Sequence, residues 1–375
     1  RINLTTALGT SLVNTLFVLD EPSIGLHSRD MKRVVEVLHR LRDAGNTLMV
    51  VEHDKEVMLA ADRILDMGPG PGEKGGQVVF YGSPSQLLES ERSVTGRFLC
   101  GVEQVSRKSR SAADATPRSS LTIRGAQENN LKNIDVDIPL HQLVCVTGVS
   151  GSGKSSLIKN VVYNALRKLK GAPVEPPGEH LELLGHHYVD DIVLVDQSPI
   201  GKTTRSNPIS YVGGLDAIRK IFARQPLSIE RNYTAGSFSF NSGNGRCPRC
   251  GGNGFEHIEM QFLSDVYLRC PDCDGRRYRP EILQVKLITE NATASIADIL
   301  DMTVSQAIGF FHDFRDVKSA LAPLVAVGLD YLRLGQPVPT LSGGEAQRLK
   351  LAGRLAKGEK RNRHTSGGNK TLFLF

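Results

Sequence analysis

The chain has no tryptophan, only 6% aromatic residues, and no apolar run near the roughly 18 residues that a membrane-crossing helix requires. The last absence argues against a helical membrane protein. No charged-then-apolar stretch opens the chain, so no signal peptide is expected and the expected location is the cytoplasm. The missing tryptophan decides nothing. A strong excess of one charge is lacking too: 46 Lys and Arg against 40 Asp and Glu leave +6 over 375 residues. That balance permits nucleic-acid binding without demanding it. Cysteine is scarce, with six in all, and four of them are grouped.

What is present is a 40% hydrophobic fraction with slightly negative mean hydropathy, the profile of a soluble globular protein with ample core. Two or three domains are the natural expectation at this length. "LFVLD" and "TLMVVEH" are short apolar runs of the kind found in buried parallel strands, separated by an amphipathic stretch from Ser28 to Ala44. "RILDMG" is a third candidate strand, and "GPGPGEKGG" after it reads as a plain turn, since it lacks the lysine and following helix of a phosphate loop. Residues 101–120 are polar, Ser/Arg-rich and aperiodic, which predicts a linker. Residues 234–280 form a Gly/Cys/Arg-rich insert with little core of its own, and from Ile296 the chain turns helical again. An internal repeat is visible: "RLKLAGRLAKG" from Arg348 resembles "RINLTTALGTS" from Arg1, and the closing "TLFLF" resembles "TLFVL" from Thr15. The expectation is the end of one module followed by the beginning and middle of a second, a fragment at both ends.

"GVSGSGKS", Gly148 to Ser155, fits the phosphate-loop pattern in full. Glycines such as Gly148, Gly151 and Gly153 let backbone N–H groups curl around a phosphate, with Ser150 and Ser156 in the same turn. Lys154 neutralises phosphate oxygens and the Ser155 hydroxyl suits Mg²⁺. An apolar strand is expected before it, with Cys145 as a buried, inert thiol, and a helix after it. "LFVLDE" sets Asp20 and Glu21 at a strand's C-terminal end, and "VVEH" ends a second strand with His53, placed to reach a γ-phosphate. The cysteines read C-x₂-C-x₁₉-C-x₂-C: Cys247, Cys250, Cys270 and Cys273. In a chain without a secretory signal that spacing argues for structural zinc rather than disulfides. The stretch between the pairs suits a short hairpin, and four thiolates complete a tetrahedron without His257.

These motifs carry a resemblance. "LSGGEAQ" from Leu341 is the signature of ABC-type ATPases, and "DEPSIGLH" with "VVEHD" is similar to their Walker B, D-loop and switch-histidine sequence. With "ENNLKNIDVDIP", "DQSPIGKTTRSNP", "CPRCGGNG", "CPDCDGRRY" and "VGLDYLRLGQP", the chain resembles the UvrA family of the bacterial UvrABC excinuclease. The resemblance implies an α/β fold of P-loop ABC ATPase modules, a mixed and mostly parallel sheet flanked by helices, with a Cys₄ zinc insert and a helical signature region. It implies the end of a first module over 1–100, a linker over 101–120 and the start of a second module over 121–233. The zinc insert would take 234–295 and the signature region 296–375.

Two composite ATP sites are implied, each closed by the other module's signature. Asp20, Glu21 and His53 would share one with Ser342, Gly343, Gly344 and Glu345. Gly148 to Ser155 and the Q-loop residue Gln197 would belong to the other. The implied cofactors are ATP, Mg²⁺ and Zn²⁺. The implied partners are damaged double-stranded DNA, UvrB through a region absent from this chain, and a second copy in a homodimer. Lys202, Arg205, Arg249, Arg276 and Arg277 are candidate phosphate contacts, although acidic neighbours nearly cancel the charge around the cysteines.

The implied activity is ATP hydrolysis in recognition of DNA distortion. A UvrA paralogue outside repair is the alternative. An ABC transporter ATPase is disfavoured because a zinc insert has no purpose in membrane coupling, and a DnaJ-type chaperone because it has no place for a P-loop. With each ATP site only half encoded, the isolated 375-residue polypeptide is expected to bind ATP weakly and turn it over negligibly. Steady hydrolysis by that polypeptide, abolished by Lys154→Ala, would contradict this.

Overall fold

Helix Ser28–Asp43 shows how local signals build the first part of the molecule. In the computed structural model, His27 caps it by accepting from the Arg29 N–H (3.1 Å), Asp30 sits in the first turn, and Arg40 and Arg42 sit in the last, complementing the helix dipole. Met31, Leu38 and Leu41 fall on one face and are buried. The structure describes residues 13–104, 119–196, 200, 205–258, 266–290, 292–362 and 370–375. The repeat at Arg1, most of the predicted linker, Gln197 and Lys202 lie outside them. The chain divides into two compact units, residues 1–192 and 193–375.

In the first unit, strands Leu16–Asp20 and Thr47–Val51 pair in parallel, with Leu16 opposite Thr47 and Asp20 opposite Val51. Met31, Leu38 and Val57 pack against Leu19, Leu48 and Val50 on one face of this pair. The other face differs from the sequence expectation of fully buried strands. Leu16, Val18, Met49 and Val51 are 49–64% exposed, because no described element covers that side. Ile64–Gly68 and Gln77–Gly82 form an antiparallel hairpin around a short turn at Gly72–Lys74, so "GPGPGEKGG" is a turn, as its composition predicts.

Strand Ser120–Ala126 runs antiparallel between Ile134–Pro139 and Glu182–Leu184. Its Leu121 and Ile123 are fully buried, as are Val161, Val162 and Leu166 of the helical stretch that follows the phosphate loop. That stretch winds widely over Ser156–Tyr163 and continues as an α-helix over Asn164–Leu169. One expectation fails here. Residues 143–147 form no strand, Leu143 is 98% exposed and Cys145 is exposed rather than a core thiol. No described strand pairs with this run, and Val144 and Val146 beside Leu143 are also exposed.

The second unit holds the larger core. Short helices Pro208–Tyr211, Leu215–Ala223, Ile296–Asp301 and Val304–Phe310 join Arg315–Ala326 and the long Gly343–Asn362. Reciprocal capping by Ser295 with Asp298 and by Thr303 with Gln306 starts two of them. Ile209, Phe222, Phe240, Tyr278, Phe311, Leu321, Leu324 and Leu349 form one buried cluster. The closing segment Thr371–Leu374 is a strand, as is Leu16–Asp20, which its sequence resembles. It pairs with Asp191–Leu194.

No described helix is long and apolar enough to cross a membrane. Phe311 is fully buried between Phe310 and Phe314, at ring distances of 5.0 and 5.6 Å. Phe311→Ala is expected to cost about 3–5 kcal/mol in a denaturant-unfolding measurement, and a loss near zero would show the cluster to be misplaced.

Candidate nucleotide and metal sites

Strand Leu16–Asp20 ends on Asp20, and the backbone then turns sharply. Glu21 has a positive φ of 42°, uncommon for a residue with a side chain, and its N–H is held by the Val51 carbonyl at 2.9 Å. This turn brings the Glu21 carboxylate to 3.6 Å from His53 Nε2, on the loop that leaves the neighbouring strand. The His53 side chain is largely open to solvent and that of Glu21 is half-buried.

Glu52 sets the spacing. Its carboxylate accepts from the N–H groups of Ser23 (2.8 Å), His53 (2.9 Å) and Asp54 (3.3 Å). Burial pushes this carboxyl up, and the donors at Ser23, His53 and Asp54 outweigh it, so it sits below the usual carboxylate range. One side chain thus ties the loop after Glu21 to the loop bearing His53. In sequence, "VVEH" marks only a strand end, and this bracing role of Glu52 goes unseen.

The phosphate loop has the backbone its glycines predict. Gly148, Gly151 and Gly153 all have positive φ. A Cβ on Gly153 would lie 2.9 Å from Leu131 Cδ2 and 3.0 Å from Asn130 Oδ1, so only glycine fits. Lys154 folds back over the loop, donating to the carbonyls of Gly148 (2.6 Å) and Val149 (2.9 Å). Ser150 and Ser155 are exposed, while Ser156 accepts from the Asn129 amide at 3.1 Å. Asn130 donates to the Gly151 carbonyl at 2.8 Å. Asn129 and Asn130 therefore brace the loop. The doubled asparagine in "ENNL" was the available signal, since asparagine tolerates the positive φ of 55° found at Asn129.

The signature starts a helix. Ser342 Oγ accepts from the Glu345 N–H (3.3 Å), and Glu345 Oε2 accepts from both the N–H (2.9 Å) and the hydroxyl (3.0 Å) of Ser342. Tyr331 donates to the other Glu345 oxygen at 2.7 Å and is itself contacted by Arg348. Glu345 is therefore engaged in capping the helix, a role readable from the S-x-x-E spacing. Gly343 and Gly344 are exposed with nothing within 4 Å of an added Cβ, so the first turn opens to space. Farther along, Gln347 donates to the Val195 carbonyl (3.1 Å) and Lys350 to the Asp196 carbonyl (2.9 Å) and carboxylate. These bonds pin the signature helix to the chain just before Gln197.

All four grouped cysteines are buried and their sulfurs lie within 4.8 Å of one another. Cys250 and Cys273 sulfurs are 3.7 Å apart, and those of Cys247 and Cys270 4.0 Å. Sulfurs at the corners of a tetrahedron around zinc, with bonds of about 2.3 Å, are about 3.8 Å apart, so the donor set fits that ion. Burial raises the Cys250 and Cys273 thiols. A divalent cation reverses that preference by binding thiolate. The strands Phe255–Ile258 and Val266–Arg269 make the antiparallel hairpin expected between the pairs. A Cβ on Gly252 would meet the Phe240 carbonyl oxygen at 2.0 Å, which requires glycine in the first knuckle.

The candidate DNA contacts separate. Arg276 is exposed. Arg249 is bridged to Glu256 (2.7 Å) and Asp272 (3.1 Å), and half-buried Arg205 donates to Asn253 (2.8 Å). Arg277 corrects the expectation: it is 3% exposed, with its guanidinium over the Phe240 ring, so packing holds it inside the fold rather than at a DNA-facing surface.

No family model matches the chain. It is 50% identical over 362 residues to UvrABC system protein A of Clostridium tetani, covering 95% of this chain and 37% of that protein. It is 49% identical to the protein of the same name from Thermus thermophilus, over 95% of this chain and 37% of that one. The chain is UvrA-like. A solved structure, UvrA2 from Deinococcus radiodurans, shares 43% identity at a TM-score of 0.87, over 96% of this chain and 42% of that one. The UvrA-like chain thus spans little more than a third of the length of the curated relatives it matches.

Metal analysis of the purified chain is expected to give one zinc per molecule, with Cys273→Ser lowering the occupancy to a small fraction of that. An unchanged stoichiometry in the variant would place the metal elsewhere.

Proposed function

We propose that this chain supplies the ATP-handling and zinc-bearing parts of a UvrA-type ATPase that recognises damaged DNA in nucleotide excision repair. The observation that carries the reading is the set of parts in one chain of about 50% identity to UvrA proteins. They are a strand-end Asp20–Glu21 beside His53, a glycine-backed loop with Lys154, a four-cysteine cluster, and an open helix start at Ser342–Gly344.

In this reading Lys154 leaves the two carbonyls it now caps and turns to the β- and γ-phosphates. At that same site Ser155 would hold Mg²⁺, with Gln197 as its Q-loop residue; at the other site Asp20 would hold Mg²⁺, Glu21 would polarise the attacking water and His53 would face the γ-phosphate. Gly343 and Gly344 close the nucleotide of the Asp20 site with backbone N–H groups, while Glu345 takes the N–H and hydroxyl of Ser342 and so keeps that turn in shape. Zinc at the cysteines holds the insert folded. Partners are damaged duplex DNA, UvrB and a second copy of the protein, and recognition proceeds through DNA deformability rather than base contacts. Arg276 is the phosphate-contact candidate that the geometry supports best among the described residues, with Arg249 available on breaking its ion pairs. The likeness to UvrA2 keeps one alternative open: a paralogue with the same ATP chemistry and no role in loading UvrB.

The test uses the whole protein that contains this chain. Glu21→Gln is expected to lower ATP turnover at its own site about 10²-fold or more, leaving only what the Lys154 site contributes, while nucleotide binding persists. The unaltered protein should bind distorted duplex in preference to undistorted duplex. Turnover unaffected by Glu21→Gln would overturn the assignment, and equal binding to both duplexes would overturn the recognition role.

A further inference from the structure

Arg277 sits four residues beyond the last cysteine in a conformation that glycine would adopt at less cost, with φ of 72°. Its main chain belongs to the cysteine cluster. Its carbonyl accepts from the Cys247 N–H at 2.8 Å, and its N–H donates to the Cys273 sulfur, so one residue's main chain touches both pairs. Its side chain goes elsewhere. The guanidinium lies 5.0 Å from the centre of the Phe240 ring, and Nη2 donates to the Gly335 carbonyl at 3.0 Å.

Gly335 is itself wedged in place. Its N–H donates to the Leu300 carbonyl at 2.7 Å, and a Cβ there would lie 2.8 Å from Leu300 Cβ. From Gly335 the chain runs through Pro337 and the tight turn Val338–Thr340 directly to Ser342. No other element intervenes. The segment that presents Ser342, Gly343 and Gly344 is therefore anchored at its start by the residue that joins the two cysteine pairs.

We infer that Arg277 is a positioning residue that ties metal occupancy at the four cysteines to the conformation of residues 335–342. With metal bound, the Cys247 and Cys273 contacts fix the Arg277 backbone, and its planar fork fixes the Gly335 carbonyl. When the metal leaves, the two pairs separate, the backbone of Arg277 is released, and the loop ahead of the signature loses one of the bonds that hold it, keeping those from Gly335 N–H to Leu300 and from Val338 N–H to Ser206. A buried guanidinium needs its acceptor, since an unpaired desolvated charge is costly. The loop is thus drawn to one arrangement while Arg277 is held. The bearing on nucleotide closure rests on the function proposed above; the linkage itself does not.

Hydrogen exchange by mass spectrometry on the zinc-loaded 375-residue chain tests this without any ATP readout. Removing zinc with a strong chelator under reducing conditions is expected to speed exchange in peptides covering 333–345 by about ten-fold or more. The strand Ser120–Ala126 serves as the unaffected reference. Arg277→Gly keeps the backbone conformation and both main-chain contacts to the cysteines. It is expected to hold one zinc, to exchange fast over 333–345 already, and to respond no further to the chelator. Arg277→Lys, which keeps the charge without the planar fork, should fall between the two and decides the matter if the glycine variant fails to hold zinc. The inference is overturned if exchange over 333–345 in the unaltered chain ignores zinc removal. It is equally overturned if the zinc-loaded variants exchange and respond as the unaltered chain does. Because neither measurement involves nucleotide or DNA, failure of the proposed function would leave this result standing, and the converse holds too.

Discussion

Four buried thiols in one small volume are a donor set suited to a metal ion. The convergence of Cys247, Cys250, Cys270 and Cys273 within 4.8 Å is the constraint on which much of the second unit depends. The stretch around them has few core residues of its own, and the energy of a bound metal, about 10–16 kcal/mol in small zinc peptides, is of the size needed to order it. Once the two pairs meet, Arg277 and Tyr278 are set. Tyr278 is buried and donates to the Phe238 carbonyl at 3.0 Å, and Phe238 and Phe240 then join the main cluster. A metal site in an insert in this way becomes part of the packing that carries the signature helix.

The nucleotide parts obey a different rule. In the proposed reading each is framed by residues whose polar groups are committed to holding the backbone. Glu52 engages its carboxylate with three N–H groups and leaves Glu21 and His53 side by side, both within reach of solvent. Asn130 holds Gly151, and Glu345 together with Tyr331 holds Ser342. Exposed faces occur on Leu16–Asp20, Thr47–Val51 and residues 143–147, next in sequence to these parts, in a chain that covers a minority of the length of its relatives.

Much of this was legible in the sequence because the signals are local. The phosphate loop needs glycines at fixed spacing, the cysteine pairs need two-residue gaps, and the strand-end acids follow short apolar runs. The UvrA resemblance rested on the same motifs. What was not legible depends on packing. "QLVCVTG" has the composition of a core strand, yet with no paired strand among the described residues Cys145 lies at the surface. Arg277, in an arginine-rich stretch, looks like a phosphate contact until its ring partner and the Gly335 carbonyl are seen. Composition shows a charge, and only the fold shows where it points. Glu52 escaped notice for the same reason: an acid at a strand end has no mark in sequence that separates a brace from a metal ligand.

In the proposed function the loop from Gly148 to Ser155 binds nucleotide phosphate through Lys154. Isothermal titration of the 375-residue chain with MgATP is the most direct measurement of it. Weak, saturable binding of one nucleotide per chain is expected, weakened at least about ten-fold by Lys154→Ala, the loss that follows when a charge-assisted contact to phosphate is removed. Binding of equal strength in the Lys154→Ala chain, or no binding by the unaltered chain at millimolar nucleotide, would contradict it.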